Sequence, residues 1–259
     1  MMTEEEVRDM LATLKSAVQG ALRRFDVRLV RLPAADSPEY EVVCPLATYA
    51  PWNLDHELLS AYELIRHNTL VDIYRCWELW TLVGQAAKRG GGILEVGVWR
   101  GGTGALMAKR ALSAGIKDPV YLCDTFEGVV KAGSHDSQYK GGEHSDTSQQ
   151  VVESLLRTLH LTNVRIPSGV FPDETAQLIE PGSRFSLCHL DVDVYQSAKD
   201  VVAWVWDRMV PGGIVVYDDY GFRECQGLTK YVNEQASESD RLVLHNLNGH
   251  AVVVKTPTV

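Results

Sequence analysis

The chain has 259 residues, of which 45% are hydrophobic and 23% charged, the balance of a globular protein. Its net charge of −9 argues against nucleic acid as a partner, because phosphate-backbone binding needs a concentrated positive surface. No apolar run approaches the roughly 18 residues of a membrane span, so no membrane association is expected.

The first nine residues are polar and acidic, which argues against a secretory signal. Thr3-x-x-Glu6 reads as a capping box. After it, Val7, Met10, Leu11, Leu14, Val18 and Leu22 recur at helical spacing, predicting an amphipathic helix that ends near Phe25. Residues 27–55 carry Pro33, Pro38, Pro45 and Pro51 and read as irregular. A second helix is expected from about Thr69 to Lys88, carrying Leu70, Ile73, Tyr74, Trp77, Trp80 and Val83 and stopping at Gly90-Gly91-Gly92. From there strand-like runs at 93–96, 119–124, 164–168, 185–191 and 213–218 alternate with helical patterns at 102–114, 148–161 and 197–209. Thr147-x-x-Gln150 and Ser197-x-x-Asp200 are candidate caps. "LVLHNLNGHAVVVK" (242–255) places two apolar runs around Asn248-Gly249, a hairpin signal. The expected fold is therefore α/β: a doubly wound, mostly parallel seven-stranded sheet with helices on both faces and a C-terminal antiparallel hairpin. The expected domains are a helical and irregular extension over 1–68, acting in self-association and as a lid, and a catalytic domain over 69–259. Residues 127–147, "EGVVKAGSHDSQYKGGEHSDT", read as a long polar loop suited to a lid.

Five scattered cysteines with no C-x-x-C pair point to a reducing cytoplasm, and Cys123 and Cys188 read as small core residues. His189, inside an apolar run, reads as a satisfied core residue. Trp77, Trp80, Trp204 and Trp206 read as helix-packing residues. Trp99 stands inside a glycine turn, where its ring has ligand or lid to meet.

Chemistry concentrates where the strands are expected to end: Glu95, Asp124, Asp191 and Asp218-Asp219 would converge on one sheet edge. So many carboxylates together need cations or donors. A cationic nucleotide-like ligand such as S-adenosylmethionine fits, with Glu95 accepting from its ammonium and Asp124 from its ribose diol. Gly97 and Gly101 would let backbone approach that ligand. "LEVGVWRGG" departs from the dinucleotide fingerprint, and a pyrophosphate would favour more donors. Asp191, Asp218 and Asp219 form a hard-oxygen set suited to Mg²⁺. Asp193 either faces the same cavity or simply starts a helix.

"ILEVGVWRGGTGALMAKR", "YLCDTFEGV", "LDVDVYQSAKDVV" and "PGGIVVYDDYG" resemble the macrocin O-methyltransferase (TylF) family, and residues 60–255 carry the resemblance. "GGEHSDTS" and the "LNGH" hairpin look most like its aminocoumarin branch, which includes the novobiocin-type deoxysugar enzymes; a relative acting on an enediyne sugar would look similar. The resemblance implies an S-adenosylmethionine-dependent sugar O-methyltransferase in antibiotic biosynthesis, whose acceptor is a small-molecule glycoside. It implies cofactor contacts from Glu95, Gly97, Trp99 and Gly101 at the methionine part and Asp124 at the ribose, with Thr125 and Phe126 also at the cofactor. Ser168, Gly169 and Phe171 fall near the adenine, with Asp191 also at the cofactor and Thr69 covering it. It implies Mg²⁺ on Asp191, Asp218 and Asp219, and Asp193 as general base; should Asp193 prove a metal ligand instead, His144 in the polar 127–147 loop is the other candidate base. Rival readings are a metal-dependent catechol or phenol O-methyltransferase, a nicotinamide-dependent sugar oxidoreductase, and a catalytically silent binding module. The N-terminal helix predicts self-association, as a dimer or a higher homo-oligomer.

Overall fold

The computed structural model describes residues 47–257 together with residues 18, 20–22, 39–41 and 43. The first helix expected from the sequence lies mostly outside the described residues, as does its predicted role in self-association. Two compact units divide the chain, Met1–Cys44 and Pro45–Val259, and everything that follows lies in the second. The sequence reading starts the catalytic domain at Thr69. The compact unit begins earlier because helix α1 (His56–Ile65) buries Leu58, Ala61 and Ile65 in the same cluster as the sheet's Ile93.

Seven strands form one sheet: β1 (Gly92–Val96), β2 (Val120–Cys123), β3 (Val164–Arg165), β4 (Phe185–Leu190), β5 (Met209–Tyr217), β6 (Arg241–His245) and β7 (Ala251–Lys255). Their order is β3-β2-β1-β4-β5-β7-β6, parallel except where β7 pairs antiparallel with β5 and β6. The β6–β7 connection is five residues long, closed by Asn246 N–H donating to the His250 carbonyl at 3.2 Å, so Asn248-Gly249 is not a two-residue turn. Strand β3 is short, and Ser168 meets the sheet only through an isolated bridge to Asp124.

Helix α2 (Ile73–Ala86) starts four residues later than its apolar pattern suggests, because Asp72 caps it, accepting from the N–H groups of Tyr74 and Arg75. Thr69 thus precedes the helix. Ser148, not Thr147, caps α4 (Gln149–Thr158). Helix α5 (Tyr195–Val205) has no side-chain cap, and Ser197 instead donates to the Val130 carbonyl at 2.9 Å. Among the described residues of this unit, α3 (Gly102–Ser113) and α6 (Gln226–Gln235) complete the α-helices. Residues of α1 to α4 are buried in one cluster with Ile93, Leu122 and Leu187, whereas α5 and α6 join Leu94, Cys188 and Val215 in a second. Alternating strand residues therefore enter different layers, as burial of both sheet faces requires. Trp77 and Trp80 pack in the first cluster and Trp204 and Trp206 in the second. Cys123 and Cys188 are fully buried. Among the described residues no helix is long and apolar enough to cross a membrane.

Candidate functional site

Strand register explains how the acidic residues meet. Val96 is paired with both Cys123 and Leu190, and Leu190 with Tyr217. The next residues, Gly97, Asp124, Asp191 and Asp218, leave the sheet at one level. Three cross-strand bonds fix the level: Gly97 N–H to the Cys123 carbonyl (3.0 Å), Asp191 N–H to Val96 (2.9 Å) and Asp218 N–H to Leu190 (2.9 Å). Above them lies a cavity of about 310 Å³, within the size range of small-molecule sites. It sits at the carboxyl ends of the strands, across the β1–β4 reversal of strand order, the customary ligand position in open α/β sheets.

The cavity takes in Thr69, Gly97, Trp99, Asp124, Thr125, Gly169, Phe171, Asp191, Asp193, Asp218 and Asp219, all singled out in the sequence, and His144 as well. Glu95, Gly101, Phe126 and Ser168 do not line it. Strand β1 ends at Val96, not Glu95, so Glu95 points into the layer beneath α3. There it is fully buried, one oxygen 2.9 Å from His189 Nδ1. His189 is a core residue as expected, but its Nε2 lacks a hydrogen-bond partner and lies 4.0 Å from Asp218.

The glycines answer to protein packing. Gly97 has φ +86°, and a Cβ there would fall 1.7 Å from the Asp191 carbonyl oxygen. At Gly101, with φ +85°, it would fall 2.9 Å from Val152. Asp124 grips the turn itself: one carboxylate oxygen accepts from the N–H groups of Val98 (2.5 Å) and Trp99 (2.9 Å), the other from Phe126 (2.7 Å). A carboxylate has about four acceptor directions, so about one remains toward the cavity.

The 127–147 segment contains no helix or strand, yet it is anchored at both ends. Lys131 pairs with Asp173 and Asp200. At the other end the Trp99 indole donates to Asp146 (2.8 Å), Arg100 stacks on that ring and pairs with Asp146, and Thr147 donates to the Trp99 carbonyl. The Trp99 ring thus meets the proposed lid.

The sequence reading missed Arg75, His250, Glu78, Tyr139 and Cys225. Arg75 is 6% exposed and lies on the buried stripe of α2 with Leu79 and Val83, a charged residue on an apolar face and hence a readable signal. Its Nη1 donates to Asp218 and to Asp219 (3.1 Å), and its Nε to Asp72 (3.0 Å). His250, fully buried, stands between Glu78 (3.0 Å) and Asp218 (3.3 Å). Burial pushes the Asp218 carboxyl up, but His250 and Arg75 outweigh it and hold it below the ordinary carboxylate range. Its neighbours go the other way. Burial, with repulsion from Asp218 and Asp193, raises Asp219 to about 8, and Asp191 is raised well above its usual value by burial and the same carboxylates. Burial likewise raises Asp193, whose carboxylate accepts from the Tyr139 hydroxyl at 2.8 Å.

The carboxylate crowding at Asp191, Asp193 and Asp219 marks a surplus of negative charge that a hard divalent cation would neutralise, so the donor set fits such an ion. Ligand atoms of Asp193, Asp219 and Cys225 already lie within 4.8 Å of one another. Asp218 is nearer a second cluster with His189 and His250, and Asp191 belongs to neither group. The expected Asp191, Asp218 and Asp219 triad therefore borders one cavity without its ligand atoms being gathered into one group, and Arg75 stands against two of its members.

Comparison with known proteins extends this geometry. The chain is 28% identical over 197 residues to mycinamicin III 3''-O-methyltransferase of Micromonospora griseorubida, covering 70% of this chain and 76% of the relative. It is 31% identical over 148 residues to 8-demethyl-8-(2,3-dimethoxy-alpha-L-rhamnosyl)-tetracenomycin-C 4'-O-methyltransferase of Streptomyces olivaceus, covering 52% and 55%. It is 27% identical over 173 residues to demethyldecarbamoylnovobiocin O-methyltransferase of Streptomyces niveus, covering 62% and 63%. The solved O-methyltransferase NovP shares the fold at a TM-score of 0.62 and 23% identity, covering 73% of this chain and 83% of its own. Residues 61–247 match one family throughout. That match runs from within α1 to just past β6 and takes in every segment that lines the cavity, and the chain accordingly belongs to the macrocin-O-methyltransferase (TylF) family.

Proposed function

We propose that the chain transfers a methyl group from S-adenosylmethionine to a sugar hydroxyl on a glycosylated antibiotic or a related natural product. The observation that carries this reading is the juxtaposition, in one cavity, of the Asp124-gripped turn and the buried Asp191, Asp193 and Asp219 carboxylates. Family membership supports methyl transfer over nicotinamide chemistry. The three relatives act on macrolide-, tetracenomycin- and novobiocin-type compounds by their names, at identities of 27 to 31% that single out no one branch.

In this reading Gly97, Trp99 and Asp124 border the donor's methionine and ribose parts, while Gly169 and Phe171 border its adenine. Asp191, Asp218 and Asp219 would hold Mg²⁺ or a similar divalent ion. When bound, such an ion would supply Lewis-acid charge that lowers the pKa of a sugar hydroxyl. Asp193 takes the hydroxyl proton as general base, a contribution of about 10²–10⁴-fold. One O–C bond forms as one C–S bond breaks, in line, and the cavity walls supply orientation. Thr69 and the 127–147 segment cover the site and exclude water.

The test is a methyl-transfer assay with methyl-labelled donor against glycosylated antibiotics that each lack one sugar methyl, with a catechol as comparison. Labelled glycoside is the expected product. A preparation that binds the donor and methylates only the catechol would overturn the sugar assignment.

A further inference from the structure

We propose that Tyr139 is a positioning residue for this reaction: its hydroxyl holds the Asp193 carboxylate in the orientation that receives the acceptor's proton. The inference rests on the reading of Asp193 as base.

Asp193 lies just beyond the sheet, at φ +61°, where a non-glycine residue needs its surroundings to hold it. Its Oδ1 accepts from the Tyr139 hydroxyl at 2.8 Å, and the Cys225 thiol lies 3.7 Å away. A thiol is a weak donor, so the phenol is the stronger constraint. A carboxylate only accepts and a phenol carries its proton near neutral pH, so the hydroxyl is the donor in this bond.

Tyr139 comes from the covering segment, and that segment is fastened to the helix that Asp193 leads into. Asp136, three residues earlier and 5% exposed, accepts from Gly133 N–H (2.8 Å) and from Tyr195 N–H (3.0 Å) in the first turn of α5. A Cβ at Gly227 would fall 1.8 Å from Asp136 Oδ1, so α6 leaves room for this strap. Ser197 and Asp200 of α5 hold Val130 and Lys131 of the same segment. Base and phenol are thereby referred to one frame, the start of α5, and the carboxylate is set once the segment is seated.

Tyr139→Phe removes the hydroxyl and keeps the ring. The expected result is a kcat lowered roughly ten- to hundred-fold, the scale of a lost bond to a charged group, with the KM and calorimetric Kd for S-adenosylmethionine within about two-fold of the parent protein. Because the hydroxyl acts through Asp193, adding Tyr139→Phe to Asp193→Asn should cost no more than about two-fold further. Hydrogen exchange over 127–147 should match the parent, separating lost orientation from an unseated loop. Asp136→Asn keeps the hydroxyl but loosens the strap, and it should lower kcat with donor affinity kept. An unchanged kcat in Tyr139→Phe overturns the proposal, and so does a fully additive loss in the double variant. If Tyr139→Phe proves unstable, an unchanged kcat in Asp136→Asn, with exchange over 127–147 increased, overturns it as well. A parent-like kcat in Asp193→Asn alone removes the base assignment beneath it, a distinct outcome.

Discussion

Arg75→Met replaces a buried cation with an apolar side chain of similar length, and its effect can be worked from the contacts. Arg75 is 6% exposed and Asp218 1% exposed, and the guanidinium also reaches Asp219 at 3.1 Å. Removing one member of a buried ion pair costs about 3–5 kcal/mol, because the partner is left charged and desolvated. The third contact, to the more exposed Asp72, adds at most about 1 kcal/mol. His250 remains on Asp218 after the substitution and offsets part of the loss, which places the expectation at the lower end. For a unit of this size each kcal/mol moves Tm by about 2–4 °C, so a loss of about 3 kcal/mol is a fall of roughly 6–12 °C. Differential scanning calorimetry reads it. Arg75→Lys should recover part of the fall, since one ammonium cannot span three carboxylates as the fork does. Mg²⁺ should stabilise Arg75→Met more than the parent, because the variant's carboxylates have lost their fixed counter-charge. A fall below about 2 °C in Arg75→Met would refute the buried ion pair on which this reasoning depends.

Asp124→Asn should weaken S-adenosylmethionine binding by about 1–3 kcal/mol, because it loosens the turn and removes an acceptor; an unchanged calorimetric Kd would take Asp124 out of the donor site. Gly97→Ala should cost more than about 3 kcal/mol in urea denaturation, since its Cβ meets a backbone carbonyl that cannot retreat; a cost under about 1 kcal/mol would show that the turn is soft. Prolonged chelation should abolish methyl transfer and Mg²⁺ should restore it, and full turnover by protein shown metal-free by elemental analysis would remove the ion from the mechanism. Hydrogen exchange of 127–147 should slow when donor and acceptor are both bound, and equal exchange with and without them would mean that the segment does not close.

The sheet was legible because apolar runs, turns and helices alternated with the right periods. The acidic edge was legible because Asp124, Asp191 and Asp218 each follow the last apolar residue of a run. Glu95 stands one residue short of the strand end, and with a two-residue side-chain period that one position places it in the layer beneath α3 and not on the cavity lining. Arg75 was overlooked because an apolar stripe with two tryptophans reads as packing, although the charge on that stripe was the clue. Tyr139 and His250 lay beyond sequence reasoning for another reason. Their roles come from contacts with Asp193 and Asp218, which are 54 and 32 residues away in the chain, and no local period encodes such pairs. The helix caps were misjudged because Thr147, Ser148 and Ser197 are chemically alike, and only the backbone path decides which of them faces a free N–H group.

The contact between Gly97 and the Asp191 carbonyl has a consequence for how such a protein can diversify. With no side chain between them, the turn after β1 and the end of β4 touch backbone to backbone. Neither can be reshaped alone, so the floor tolerates little variation and accommodates new acceptors poorly. Divergence in substrate choice is left to the parts hung above it, the 127–147 segment and the stretch from Phe222 to Cys225, which border the cavity without being strands of the sheet. Grafting those two stretches between relatives is accordingly the route by which one scaffold would acquire another's acceptor.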